Sequence, residues 1–493
     1  MNRAEVDVIV VGSGPNGLSA AVTMARAGLS VHVYEAQPTI GGGARTLDLG
    51  IAPGITHDIC SAGHPLALAS PFFAEFDLRA RGVEFSTPEI AYAQPLDGGR
   101  AALAYHDLNR TTDHLGKAGP EWRRFFAPLL DRVDDSIWLS LSDKRSLPET
   151  LRDIQGLISI ARFGTRLLSQ SGGLWNMPFT NESTQSLFTG VSAHTIGKLP
   201  SMATAATATM LSMLAHSVGW PAPIGGSQAI VDSMVADFEE HGGAITTEAR
   251  IRHVSDMPHA HAYLLDTSAA DAANIFRGVL PPGVDKALRT FKRGNAAAKV
   301  DFVLNGPVPW ADPEVGRAGT VHVGGTRAQM AFAEAEVAHG RMPEYPVCLV
   351  SDPTVFDPGR EVGGLRPLWT YCHVPFNCSV DPAESIIGQI ERFAPGFRET
   401  VVDYVSIPAS QMADHNQNYV GGDIATGLVT FYRMMARPRV AWDEYNLGAP
   451  GVFLCSQATP PAPGVHGMNG WYAAVRALRS QFGFSSEPSL AAT

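Results

Sequence analysis

The stretch Val6-Asp7-Val8-Ile9-Val10-Val11-Gly12-Ser13-Gly14-Pro15-Asn16-Gly17 decides how the rest of the chain is read. Its first six residues are dominated by β-branched side chains and predict a short buried strand. Gly12-x-Gly14-x-x-Gly17 follows at once, and an Ala-rich helix is expected over 18–27, ended by Gly28. Val31 to Tyr34 reads as a second strand, with Glu35 eighteen residues past the last glycine of the motif. That register, strand then glycine turn then helix then strand ending in an acid, is what a dinucleotide-binding βαβ unit requires. Gly12 permits the tight turn, Gly14 lets backbone approach a pyrophosphate, and Gly17 lets helix and strand pack closely. The helix N-terminus offers free N–H groups and partial positive charge, and Glu35 can accept ribose hydroxyls.

NAD and FAD share this fingerprint. The second glycine cluster, Gly41-Gly42-Gly43-Ala44-Arg45, lets backbone run beside an extended cofactor, and Arg45 is placed to neutralise phosphate. The G-x-G-x-x-G motif occurs once in 493 residues, so no second nucleotide unit is visible. Near the other end, Val452 to Leu454 reads as a strand that runs into a Pro/Gly loop and a helix over 468–478. Its N-terminus again presents free donors.

Composition narrows the function classes. Hydrophobic residues make up 45% and charged residues 17%, so disorder is excluded and much apolar surface is expected, part of it lining a cavity. The net charge of −11 and the absence of a dense basic run argue against nucleic acid as a partner. Five cysteines without a C-x-x-C pair exclude a dithiol redox relay and fit a reducing cytoplasm, and no spacing of metal ligands is present. Residues 107–220 turn helical, with Trp122, Phe125, Phe126, Leu129 and Leu130, then Leu151, Ile154, Leu157, Ile158 and Ala161, at helical spacing. Arg152, Arg162 and Arg166 on the latter segment give a peripheral contact with anionic lipid as one expectation and a solvated face as the other. Met202 to Leu214, with Trp220 and Pro221 after it, is expected to serve both as core and as wall of an apolar tunnel. Residues 297–380 alternate short strands with Pro- and Gly-rich turns and predict a mixed sheet.

Together the motifs at 6–35, 41–45 and 451–474 resemble the phytoene desaturase-like family of FAD-dependent oxidoreductases. They are most similar to its branch of pyridine nucleotide-disulfide oxidoreductase domain proteins. His57-Asp-Ile-Cys-Ser-Ala-Gly-His-Pro65, Gly219-Trp-Pro-Ala-Pro-Ile-Gly-Gly226, Lys299-Val-Asp301, Asn418-Tyr-Val-Gly-Gly-Asp423 and Arg437-Pro438 support the likeness. It implies an α/β fold: a Rossmann-type FAD-binding domain of glutathione-reductase-like or amine-oxidase-like form, and a second α+β substrate domain with a mixed sheet and a helical insertion. The expected division gives residues 1–105, 222–275 and 412–493 to the FAD domain, and 106–221 and 276–411 to the substrate domain. FAD contacts are expected at Gly12, Ser13, Gly14, Pro15, Asn16 and Gly17, at Glu35 and Ala36, and at Gly41, Gly42, Gly43, Ala44 and Arg45. Further contacts are expected at Ile251 and Ser456, and at Gly464, Val465, Gly467, Met468 and Asn469.

The implied activity is hydride transfer from a lipophilic small molecule to flavin N5, with O2 or a quinone as the electron acceptor. Saturation or isomerisation of a double bond and amine oxidation are variants, and a flavin-free binding protein of the GDP-dissociation-inhibitor type is the non-enzymatic alternative. Two departures stand out. Gly43 occupies the place where such proteins commonly carry Arg directly after the glycine pair, and the aromatic-Asp-x-Gly-Pro segment of carotenoid desaturases is missing, so a carotene substrate does not carry over. As catalytic candidates, His64 lies in the segment expected to pass the flavin and His466 in the flavin loop, with Lys299, His216 and His194 behind them.

Overall fold

A computed structural model describes residues 6–461 and 463–492. Residues 1–5, 462 and 493 of the expected FAD domain lie outside the described residues. The strand Val6–Val11 sits at the centre of a five-stranded parallel sheet. On one side it pairs with Val31–Tyr34 and then Ala244–Thr246; on the other it pairs with Ala260–Leu265 and then Val452–Leu454. The chain therefore reverses its direction of winding between Val6–Val11 and Ala260–Leu265, and the crevice beyond the carboxyl ends of those two strands is where open α/β sheets take ligands. The helix following the glycine turn starts at Pro15 and runs to Arg26, three residues earlier than expected, because proline is accommodated at the first helical position.

The second sheet has seven strands in the order Val401–Ile407, Ala296–Leu304, Arg366–Val374, Cys348–Ser351, Ala318–Val323, Ile90–Leu96 and Arg100–Tyr105. All neighbours are antiparallel except Ala318–Val323 with Ile90–Leu96, so the sheet is mixed. The expected boundary at 105 is corrected here: 90–105 belongs to this sheet through its ladder with 318–323. The boundary at 275 also falls early, because Phe276, Leu280, Leu288 and Phe291 pack into one core with Ile9, Val11 and Leu265 of the parallel sheet.

Residues 107–220 form a helical layer. Its aromatic residues Trp122, Phe126 and Phe188 share an apolar cluster with Val8 and Leu18, so the insertion is seated on the nucleotide-type sheet rather than standing apart. Residues 199–231 contain no Lys, Arg, Asp or Glu and hold the helix Met202–Ala215, and among the described residues no helix is long and apolar enough to cross a membrane.

Candidate active site

One cavity of about 900 Å³ begins at the sheet crevice and extends into the helical layer. This is near the top of the range for ligand pockets. At its first end the wall is largely backbone. Gly12, Ser13, Gly14, Pro15 and Asn16 line it, with Glu35 and Ala36 from the neighbouring strand end. Gly12 has φ +99°, open to glycine at little cost, and a Cβ on Gly17 would stand 2.1 Å from the Gly12 carbonyl oxygen. Glu35 is buried and preorganised: its Oε2 accepts from the Ser13 N–H (2.9 Å) and hydroxyl (2.5 Å), and its Oε1 from the Gln37 N–H (2.8 Å).

The expected site residues divide into those on the wall and those behind it. Gly42, Gly43, Ala44, Arg45, Ile251, Gly464 and Val465 line the cavity, as do His64 and His466. Gly17, Gly41, Ser456, Gly467, Met468 and Asn469 are not on its wall. Gly17 closes the turn, the Gly41 N–H donates to the Ser13 hydroxyl (3.1 Å), and the Ser456 hydroxyl accepts from the Ala458 N–H (3.2 Å). The carbonyl of Gly467 accepts from the Ser19 hydroxyl (2.6 Å), and Asn469 donates to the Thr459 and Pro460 carbonyls. These contacts fix helix Met468–Gln481 against helix Pro15–Arg26, where a Cβ on Gly470 would stand 1.8 Å from the Asn16 carbonyl oxygen.

Arg45 does not present a free guanidinium. Buried, it donates to the Gly42 carbonyl (2.8 Å), the Thr39 hydroxyl (2.9 Å) and the His415 carbonyl (2.5 Å), which pins the glycine cluster. His64 is held by Ser227, Nε2 to Oγ 2.8 Å, and burial lowers its pKa to about 4, so it is neutral at pH 7. His466 Nδ1 accepts from the Met468 N–H (3.1 Å), a structural bond at the helix start. His216 accepts from the Trp122 indole (2.8 Å), away from the cavity wall. Lys299 pairs with Asp301 behind the Trp369 ring and is likewise off the wall.

One side chain, and the pairing of a candidate already named, escape sequence reasoning. Asp266 follows the strand Ala260–Leu265, whose register sets Leu265 beside Val11, so its carboxyl lies in the glycine turn and accepts from the Gly17 N–H (3.0 Å). Burial is the main cause that raises its pKa to about 7. The other is a pair of imidazoles. His194 lines the cavity, and its Nε2 lies 2.7 Å from Nε2 of buried His322, so one ring must donate and the other accept. Burial lowers His194 to about 3 and His322 well below its usual value, so the pair is neutral. Trp220 stands edge-on to both rings.

The helical end of the wall is largely apolar: Ile160, Phe163 and Leu167 from helix Ile154–Gln170, Met210 and Leu211 from helix Met202–Ala215, and Met434 from Phe431–Met435. The expected double role of 202–214 is met, since Ala205, Met213 and Leu214 of the same helix are core. Among the described residues every carboxylate on the cavity wall, Glu35, Asp266 and Asp271, is at the sheet end. An elongated dinucleotide suits that end. It offers a glycine cradle at a helix N-terminus for pyrophosphate and a strand-end carboxylate for a ribose diol, and His64 Nδ1 and Asn16 Oδ1 are buried without a hydrogen-bond partner among the described residues.

Comparison with known proteins agrees with this geometry. Residues 10–73 match the model of the NAD(P)-binding Rossmann-like domain family. The chain is similar to pyridine nucleotide-disulfide oxidoreductase domain-containing protein 2 of Rattus norvegicus, 23% identical over 547 residues that cover 96% of this chain and 93% of that protein. Over 34% of its length it is 25% identical to a limonene dehydrogenase polypeptide of Castellaniella defragrans, covering 29% of that protein. Among solved structures, putrescine oxidase bound to putrescine superimposes with a TM-score of 0.59 at 17% identity, covering 97% of this chain and 99% of that one. The chain therefore carries an NAD(P)-binding Rossmann-like domain within an amine-oxidase-like fold.

Proposed function

We propose that the protein is an FAD-dependent dehydrogenase of a neutral, lipophilic small molecule. The observation that carries this reading is that one cavity joins a dinucleotide cradle to an apolar arm. FAD, when bound, supplies the acceptor for a hydride taken from a substrate C–H bond, and O2 or a quinone would take the electrons onward.

The chain's own residues then have three tasks. Gly12 to Asn16 and Glu35 hold the adenosine and pyrophosphate portion, and the loop 464–466 passes the reactive portion. The helices 154–170 and 202–215 exclude water and grip apolar substrate, which strengthens every polar interaction inside. His194, backed by His322, offers a neutral polar group on a largely apolar wall, suited to orient a hydroxyl, a carbonyl or a developing double bond.

The charge distribution favours a neutral substrate over an amine. A substrate ammonium at the apolar end would find no carboxylate among the described residues and two imidazoles that resist protonation. Absorbance of the purified protein, before and after acid precipitation, tests the cofactor assignment. Flavin bands released into the supernatant are expected. Bands retained in the pellet would mean a covalent link, for which His64 is the first residue to replace. A protein that stays colourless after addition of FAD would overturn the assignment and favour a flavin-free binding protein.

A further inference from the structure

Helix Ile154–Gln170 is packed with an apolar stripe facing outward. Its buried positions are Gly156, Ser159, Phe163, Leu167 and Gln170, whereas Ile154, Leu157, Ile158, Ala161 and Leu168 recur at helical spacing on the solvent side. Ile154 is 76% exposed and Leu168 61%. A second outward apolar group lies on and after helix Phe431–Met435, which also packs on helix Met202–Ala215: Tyr432, Met435, Val440 and Trp442, the last 74% exposed. Solvated single side chains are ordinary, but two outward-facing apolar groups flanking one helix are not.

Both groups adjoin the cavity, which reaches the surface at Phe431 and Met435. Phe431 and Met435 are at once exposed and on the cavity wall, and Ile160, Phe163 and Leu167 line the same cavity from the inner side of the outward-facing helix. Charge marks the face as well. In a chain of net charge −11, helix Ile154–Gln170 carries Arg162 and Arg166 and no carboxylate, with Arg152 just before it and Asp153 used to cap it. Beside Trp442, Lys144 and Arg145 are matched by Glu444 and Asp443, and Arg152, Arg162 and Arg166 outnumber Glu149 and Asp153, so the unbalanced charge of the rim is positive.

We propose that this face docks on an anionic lipid bilayer, with Ile154, Leu157, Leu168 and Trp442 in the headgroup and acyl boundary and Arg152 and Arg162 among the phosphates. The cavity mouth would then open into lipid, and an apolar substrate would reach it without crossing water. The inference rests on the reading of the substrate as lipophilic. A second copy is a poorer occupant, because a twofold contact would set the arginines of one copy against those of the other and seal the mouth of both cavities.

Sedimentation of the flavin-loaded protein with sucrose-filled vesicles, of phosphatidylcholine alone or with about one third phosphatidylglycerol, tests the proposal. Binding to the mixed vesicles is expected to exceed binding to the neutral ones by about 10-fold at low salt and to weaken as salt is added. The double variant Leu157→Ser/Trp442→Ser should lose about 10-fold on mixed vesicles, and Arg152→Gln/Arg162→Gln should erase the preference for anionic lipid. Flavin content and Tm equal to those of the wild type would show that both variants fold. Equal sedimentation of wild type and Leu157→Ser/Trp442→Ser, no preference for anionic vesicles, or a stable dimer that Leu157→Ser/Trp442→Ser dissociates, would each overturn the proposal. Vesicle binding by a protein that lacks flavin would retain the docking face while removing the dehydrogenase reading, so the two fail separately.

Discussion

At the sheet end of the cavity the wall is mostly backbone, whereas at the helical end it is side chain. The first is specified by close approaches that tolerate nothing larger than glycine, the second by a set of Ile, Phe, Leu and Met residues whose identities can change if volume is kept. One end is thus built to hold a fixed ligand in a fixed place. The other can be reshaped for different substrates while the first is left intact.

Substitutions can break this contrast, beginning with the largest expected effect. Gly17→Ala places a Cβ 2.1 Å from the Gly12 carbonyl oxygen, so a loss of about 3 kcal/mol of stability and of dinucleotide binding is expected, measured by chemical denaturation and flavin content. Asp266→Asn keeps an acceptor for the Gly17 N–H but removes a buried ionisable group. Because the folded pKa of about 7 lies above the unfolded value near 3.8, the wild type loses stability as pH rises from about 4 to 7 and is level beyond. The variant should therefore gain on the wild type through that window, by about 1 to 3 kcal/mol at pH 8, and show no advantage below pH 4. Thermal melts across pH check the sign.

Glu35→Gln removes the charge that accepts from Ser13 and Gln37, and dinucleotide affinity is expected to fall about 10-fold, read by flavin titration of the apoprotein. Leu211→Ala, at the opposite end, should leave flavin content unchanged and cost less than about 1 kcal/mol, while altering affinity for lipophilic ligands. If Leu211→Ala emptied the protein of flavin, the two ends would not be independent.

What sequence can reveal follows the same division. The glycine turn and Glu35 are legible because their meaning lies in spacing within thirty residues. Asp266 is not, because its place depends on a parallel register between strands some 250 residues apart, Val11 with Leu265. Ile90–Leu96 is buried on both faces, so its sequence carries no alternation to say which sheet takes it. The His194–His322 pair joins a helical segment to a strand, so His194 is a candidate by residue type alone and nothing in the sequence points to His322 as its partner. Helix Ile154–Gln170 is predicted by its period, but both of its faces carry apolar residues, so periodicity cannot tell that Ile154, Leu157 and Leu168 point outward.

The proposed function requires that one cavity bring a lipophilic ligand to the flavin. It is tested most directly by titrating flavin-loaded protein with a redox-inert terpene hydrocarbon while recording the flavin absorption bands. A saturable shift of those bands is predicted, abolished in Met210→Trp, which fills the apolar arm while flavin content is retained. Unshifted bands, with hydrocarbon binding reported by tryptophan fluorescence and unaffected in Met210→Trp, would place the ligand elsewhere and contradict the account.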